Sequence, residues 1–275
     1  MNDSHPAPAS GFIVTKEYKR FVEFCDACRR DQYIGLCYGK PGVGKTLSAR
    51  HYAHWDQLQV LTNRTGREED LPPQPDLMAC DTLVYTAAVT NTPRKIEEDI
   101  RSLRFKLAWF RDEMAHVLSG QDYAFDYAVP DVTRLILVDE ADRLAATSLE
   151  QLRDIYDRGQ VGLVLIGMPG LEKRLSRYPQ LYSRVGFAHQ FKTLSDEEMR
   201  FILKYKWAEL GLKLDLSDFT DTEALAAMVQ ITAGNFRLIQ RLFAQIERIL
   251  DINHLQTITK EVVEAARANL VIGVL

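Results

Sequence analysis

Apolar and polar positions along this chain fall into two kinds of block. Short, mostly apolar runs with the length of a buried strand occur at residues 33–38, 81–87, 134–140, 161–166 and 185–191. Between them lie stretches with apolar residues at helical spacing, at 15–30, 47–58, 94–118, 145–156 and 171–182, the last broken near Pro179. In the longest of these, read as one helix or two, Ile96, Ile100, Leu103, Leu107, Phe110, Met114 and Val117 form a single stripe. Strands alternating with helices predict an α/β fold with a doubly wound, parallel, five-stranded sheet.

At Ser195 the pattern changes to helix throughout. Ser195-Asp196-Glu197-Glu198 is a helix-start signal, and three further helices are expected from about Asp221, Asn235 and Thr259. The expected division is a disordered arm at 1–11, an α/β domain at 12–193 and a helical lid at 194–275. Pro72-Pro73-Gln74-Pro75, with Gly66 and nearby acids, makes 62–81 an excursion from the core, and 121–133 reads as a loop rich in Asp and Tyr.

Composition narrows the class only a little. A length of 275 residues, 46% of them hydrophobic, suits one compact domain with an appendage. The formal net charge of −4 gives no global attraction to nucleic acid, so any such binding needs a local basic stripe. Cys25, Cys28, Cys37 and Cys80 are too few and too irregular for a disulfide framework, which fits a reduced cytoplasm. Cys25 and Cys28 have no second pair, and their spacing puts both on one face of a helix, as core. The N-terminus lacks a signal-peptide pattern, and no apolar run approaches the ~20 residues of a membrane span, so no membrane partner is expected.

The chemistry concentrates in two places. Gly39-Lys40-Pro41-Gly42-Val43-Gly44-Lys45-Thr46 is a phosphate-cradling loop set between a strand and a helix. Its glycines let backbone N–H groups approach phosphate oxygens, and the following helix turns its positive end to the same anion. Lys45 would reach the terminal phosphates of ATP, and the Thr46 hydroxyl would ligate Mg²⁺. The run at 134–140 ends in Asp139 and Glu140, as a buried strand facing a ligand crevice would. Asp139 would hold Mg²⁺ through water, and Glu140 would orient and polarise the attacking water.

On one flank of the long helix at 94–118 stand Arg94, Arg101, Arg104 and Arg111. Glu97, Glu98 and Asp99 balance its start, so this flank is either a solvated face or a nucleic-acid contact built from Arg101, Arg104 and Arg111.

Loop, carboxylate strand and helical tail resemble the AAA+ ATPases over nearly the whole chain after Phe12. Leu165-Ile166-Gly167-Met168-Pro169-Gly170 and Gly234-Asn235-Phe236-Arg237 narrow the resemblance to the transposition regulators of the TniB, TnsC and MuB group. The resemblance implies an ATP-dependent homo-oligomer, ring or helical filament, that marks double-stranded DNA without reading its sequence and recruits a transposase. A target-site-recognition protein is a possible further partner. It also implies that Arg237 reaches the γ-phosphate from the same subunit and that Arg184 reaches into the next subunit, with Arg174 and Arg177 as rivals. The group usually carries Asn, Thr or Ser at the end of the strand at 163–166, where Gly167 and Met168 stand here. A thioether donates no hydrogen bond, so hydrolysis is expected to be slow or to lean on another polar group. Two alternatives share the motifs: an origin- or helicase-loading ATPase, which often appends a winged helix not expected here, and a signalling ATPase with no DNA partner.

Overall fold

The computed structural model describes residues 12–62, 74–120 and 129–270. The expected disordered arm, and the parts of the two loop readings at 63–73 and 121–128, lie outside the described residues. The chain divides into two compact units.

The larger unit comprises residues 20–39 and 45–191. Its sheet has five parallel strands, β1 (Ile34–Tyr38), β2 (Thr82–Thr86), β3 (Leu135–Asp139), β4 (Gly162–Gly167) and β5 (Val185–Gln190), in the order β2-β3-β4-β1-β5. This is the parallel, five-stranded α/β sheet that the alternation predicts. Every residue of β3 and β4 is buried, which is why these strands read as continuous apolar runs. β5 lies at an edge and alternates half-buried with exposed positions.

Seven helices connect or flank these strands among the described residues: α1 (Lys16–Asp31), α2 (Lys45–Tyr52), α3 (Trp55–Thr62), α4 (Pro93–Ser119), α5 (Ala146–Gly159), α6 (Leu171–Leu175) and α7 (Pro179–Tyr182). The single helix expected over 47–58 is in fact two. His54 adopts a left-handed backbone (φ 48°), and α3 restarts so that Trp55 and Leu58 are buried. α4 is unbroken over 27 residues, with the Thr92 side chain accepting from the Lys95 N–H at its start and Gly120 in the left-handed region at its end. Ile96, Ile100, Leu107, Phe110 and Met114 form its buried stripe. Cys25 and Cys28 are buried, and burial pushes both thiols up, Cys28 to about 12. Both are fully buried and pack as core.

The described part of the smaller unit comprises residues 12–19, 40–44 and 192–270. Helices α8 (Asp196–Glu209), α9 (Phe219–Thr232), α10 (Phe236–Asn253) and α11 (Lys260–Ala268) enclose a core that includes Leu203, Trp207, Met228, Leu242, Ile246 and Val263. The capping signal at Ser195 is formed in full. The Ser195 hydroxyl accepts from the Glu198 N–H, and the Glu198 carboxylate accepts from the Ser195 N–H. Residues 40–44 group with these helices in the smaller unit. No described helix is long and apolar enough to cross a membrane.

Candidate functional site

Parallel strands bring β1, β3 and β4 to one C-terminal edge, with Tyr38 in register with Gly167. The Gly39 N–H donates to the Gly167 carbonyl (3.3 Å), and the Gly39 carbonyl accepts from Lys45 Nζ (2.6 Å). Lys45 opens α2 and is buried. Burial lowers its pKa, and neighbouring Cys37 and the carboxylates of Asp139, Asp142 and Glu140 oppose that shift. Thr46 follows it on α2 and is exposed.

At the end of β3, Asp139 is 3% exposed and its Oδ1 accepts from the Glu140 N–H (2.9 Å). Glu140 leaves the sheet with φ 56° and ψ 38°, a left-handed conformation that side chains other than glycine rarely adopt. Such strain persists where surrounding structure holds it, and it clusters at functional positions. The Glu140 carboxylate is partly exposed and lies 3.6 Å from Arg143 Nη2, while Arg143 Nη1 donates to the Ala87 carbonyl at the end of β2 (3.1 Å). Lys45, Asp139 and Glu140 are thus brought to one edge of one sheet.

The loop residues 40–44 pack within the smaller unit. The Asn235 amide donates to the Pro41 carbonyl (2.9 Å), and its Oδ1 caps α10 by accepting from the Leu238 N–H (3.2 Å). The Arg237 N–H donates to the Gly42 carbonyl (3.0 Å). Gly42 has φ +80°, and a Cβ there would strike Asn235 Oδ1. Val43 is buried, Pro41 is exposed, and Gly44 is at φ +114°. Arg237 is exposed in the first turn of α10, where a cation opposes the helix dipole, and its side chain has no hydrogen bond or ion pair among the described residues. The role of Asn235 in this arrangement carried one sequence signal, its place in Gly234-Asn235-Phe236-Arg237.

Arg184 is not brought to the Lys45 edge. Its carbonyl accepts from the Ile34 N–H, so it stands where β1 and β5 begin, at the opposite end of the sheet. Its Nε donates to Asp157 Oδ1 (2.6 Å). Arg174 is committed to the Asp142 carbonyl (2.6 Å) and the Leu144 carbonyl. Arg177 is exposed, and its side chain has no hydrogen bond or ion pair among the described residues.

The arginine flank of α4 divides. Arg94 pairs with Glu98 (2.8 Å) and Arg104 with Asp131 (2.5 Å). Arg101 is exposed and, with Arg104, Phe105, Glu97, Asp131 and Arg158, lines a cleft of about 460 Å³. Arg111 is half-buried and outside that lining, and its Nε is a buried donor with no partner among the described residues.

Comparison with known proteins gives this geometry a family. Residues 28–175 match the family model described as AAA domain. The chain is 50% identical over 270 residues to a Staphylococcus aureus protein named "Potential ATP-binding protein", covering 96% of this chain and 97% of that one. It is 30% identical over 249 residues to the Mu-like prophage FluMu DNA transposition protein B of Haemophilus influenzae, covering 86% and 72%. It is 26% identical over 182 residues to the ATP-dependent target DNA activator B of Escherichia phage Mu, covering 63% and 49%. The fold is similar to the Holliday junction branch migration motor RuvB of Thermotoga maritima, at TM-score 0.57 and 17% identity, covering 96% and 72%. It is also similar to the Aeropyrum pernix ORC1 protein solved in complex with DNA, at TM-score 0.57 and 18% identity, covering 93% and 65%. With a phosphate loop leaving β1, a carboxylate pair closing β3 and a family match over more than half its length, the chain belongs to the AAA domain family, and its relatives include the Mu-type B proteins.

Proposed function

We propose that this chain is an oligomerising, Mg²⁺- and ATP-dependent ATPase that binds double-stranded DNA without reading its sequence, marks it as a target and recruits a transposase in the cytoplasm. The observation that carries the reading is the convergence of Lys45, buried Asp139 and left-handed Glu140 at one strand edge. The relatives named as a target DNA activator and a DNA transposition protein supply the biological class.

ATP is the substrate. The backbone of Gly39, Pro41, Gly42, Val43 and Gly44, with Lys45, holds its phosphates. The Thr46 hydroxyl and the Asp139 carboxylate are hard oxygen donors that suit Mg²⁺, which when bound neutralises charge on the β- and γ-phosphates. Glu140 orients and polarises a water for attack on the γ-phosphorus, the bond to the bridging oxygen breaks, and ADP and phosphate leave. Arg237 contacts the γ-phosphate from the same subunit, and a neighbour in the ring or filament supplies Arg184 or Arg177. Arg101, Arg104 and Arg111 meet DNA phosphates, and a target-site-recognition protein joins the assembly.

One observation favours a second reading, a signalling ATPase without DNA. Arg94 and Arg104 already have carboxylate partners within the chain, which lowers the charge left for phosphates. ATP turnover and DNA binding with and without ATP test both readings. Lys45→Ala should lose nucleotide binding, Glu140→Gln should bind ATP without turnover, and the wild type should bind unrelated DNA sequences only with ATP. Unchanged nucleotide affinity in Lys45→Ala ends the site assignment, and a wild type that ignores DNA with ATP present selects the signalling reading.

A further inference from the structure

The strand end that closes the site lacks the polar side chain expected of it: β4 finishes at Gly167, and Met168 follows with a thioether. The space beside Gly167 is nevertheless occupied by a carboxylate. Asp142 Oδ1 accepts from the Met168 N–H (2.6 Å), and a Cβ added to Gly167 would strike that same oxygen. Asp142 lies in the short turn after Glu140, and its own carbonyl is held by Arg174 Nη1 (2.6 Å). Its position is therefore fixed through backbone and side chain together. Its charge is felt at Lys45, alongside those of Asp139 and Glu140. Its second carboxylate oxygen has no partner among the described residues.

We infer that Asp142 takes over the water-positioning task of the missing polar residue after β4, presenting Oδ2 as a preorganised acceptor to the water that Glu140 polarises. This rests on the hydrolysis reading above. A carboxylate whose one oxygen is spent on a backbone N–H and whose other is open can accept one proton of that water while Glu140 accepts the other. Two acceptors fix the orientation that one leaves free. The substitution differs chemically from the usual amide or hydroxyl, because an ionised carboxylate donates nothing to the γ-phosphate. The arrangement also explains why residue 167 is glycine: any side chain there displaces Asp142.

The decisive variant is Asp142→Asn. Its amide oxygen still accepts the Met168 N–H, so the tie between the strand end and the turn survives, but an NH₂ donor replaces the open acceptor. ATP turnover, nucleotide affinity and Tm are measured on the full chain. The expected result is a kcat lowered by about tenfold or more, with affinity within about threefold of wild type and Tm unchanged. Asp142→Asn turning over at the wild-type rate overturns the inference and leaves Asp142 as a structural tie. Should Asp142→Asn fail to fold, Asp142→Ala decides when compared with Asp142→Ala/Met168→Asn, which returns an amide to the strand end. Turnover above that of Asp142→Ala supports the positioning role, and equal turnover overturns it. A wild type that binds no nucleotide would instead remove the hydrolysis reading on which this rests.

Discussion

Gly42→Ala tests how the phosphate loop is held, and its cost is the sum of a backbone penalty, a lost helix cap and a lost hydrogen bond. Gly42 sits at φ +80°, where an L-residue with a Cβ loses about 1–2 kcal/mol. The added carbon would strike Asn235 Oδ1 and come to 3.0 Å from Arg237 Cβ. Asn235 must then move, and it holds two bonds: its amide to the Pro41 carbonyl at 2.9 Å, and its Oδ1 from the Leu238 N–H at 3.2 Å. Losing an Asn cap costs about 1 kcal/mol, and losing the second bond costs about 1 more. A total near 3 kcal/mol corresponds to a Tm lower by about 6–10 °C in a chain of this size. The assay is a thermal melt with a parallel titration of fluorescent ATP analogue, and affinity should fall with stability because the displaced carbonyls belong to the loop itself. Asn235→Ala alone should cost about 1–2 kcal/mol. The double variant should be less destabilised than the two singles together, since the clash with the Asn235 amide is gone. Gly42→Ala melting within about 2 °C of wild type would refute the contact-based reasoning.

Three further outcomes are expected. Arg177→Ala should weaken ATP-dependent oligomers and turnover, read by sedimentation with ATP, while Arg184→Ala should lower both that and stability because it also removes the Asp157 pair; wild-type assembly in both variants removes the trans role from each. Replacing Arg101, Arg104 and Arg111 with Ala should reduce DNA affinity across all sequences and flatten its salt dependence, with ATP binding by isolated subunits unaltered. The pKa of Cys28 is pushed up to about 12 and that of Cys80 to about 11, so below pH 9 both stay thiols in the folded protein and should resist alkylation, as buried Cys25 should; labelling of the native chain within minutes at pH 8 would contradict that burial.

The strands were legible because β3 and β4 are covered on both faces and therefore carry uninterrupted apolar runs. Their order was not legible, since pairing of β1 with β4 joins segments far apart in the chain and no local pattern encodes it. The break between α2 and α3 has no local sequence signal because His54, rather than Gly or Pro, takes the left-handed backbone. Lys45, Asp139 and Glu140 were readable from spacing within their own motifs. The partners of Arg104 and Arg184 were not, because Asp131 and Asp157 reach them from other segments. Asp142 was in view within Asp139-Glu140-Ala141-Asp142, but only the absent side chain at Gly167 reveals what its carboxylate occupies.

The strand order also bears on how the chain is made. β1 is the first strand of the sheet to be synthesised, yet both its neighbours, β4 and β5, are the last two. At typical elongation rates of about 5–20 residues per second, Ile34, Leu36 and Cys37 wait about 6–30 s for the partners that bury them. The strand that carries the phosphate loop thus stays without its sheet neighbours while most of the sheet is made, and chaperone demand during synthesis of the sheet should peak before β4 emerges.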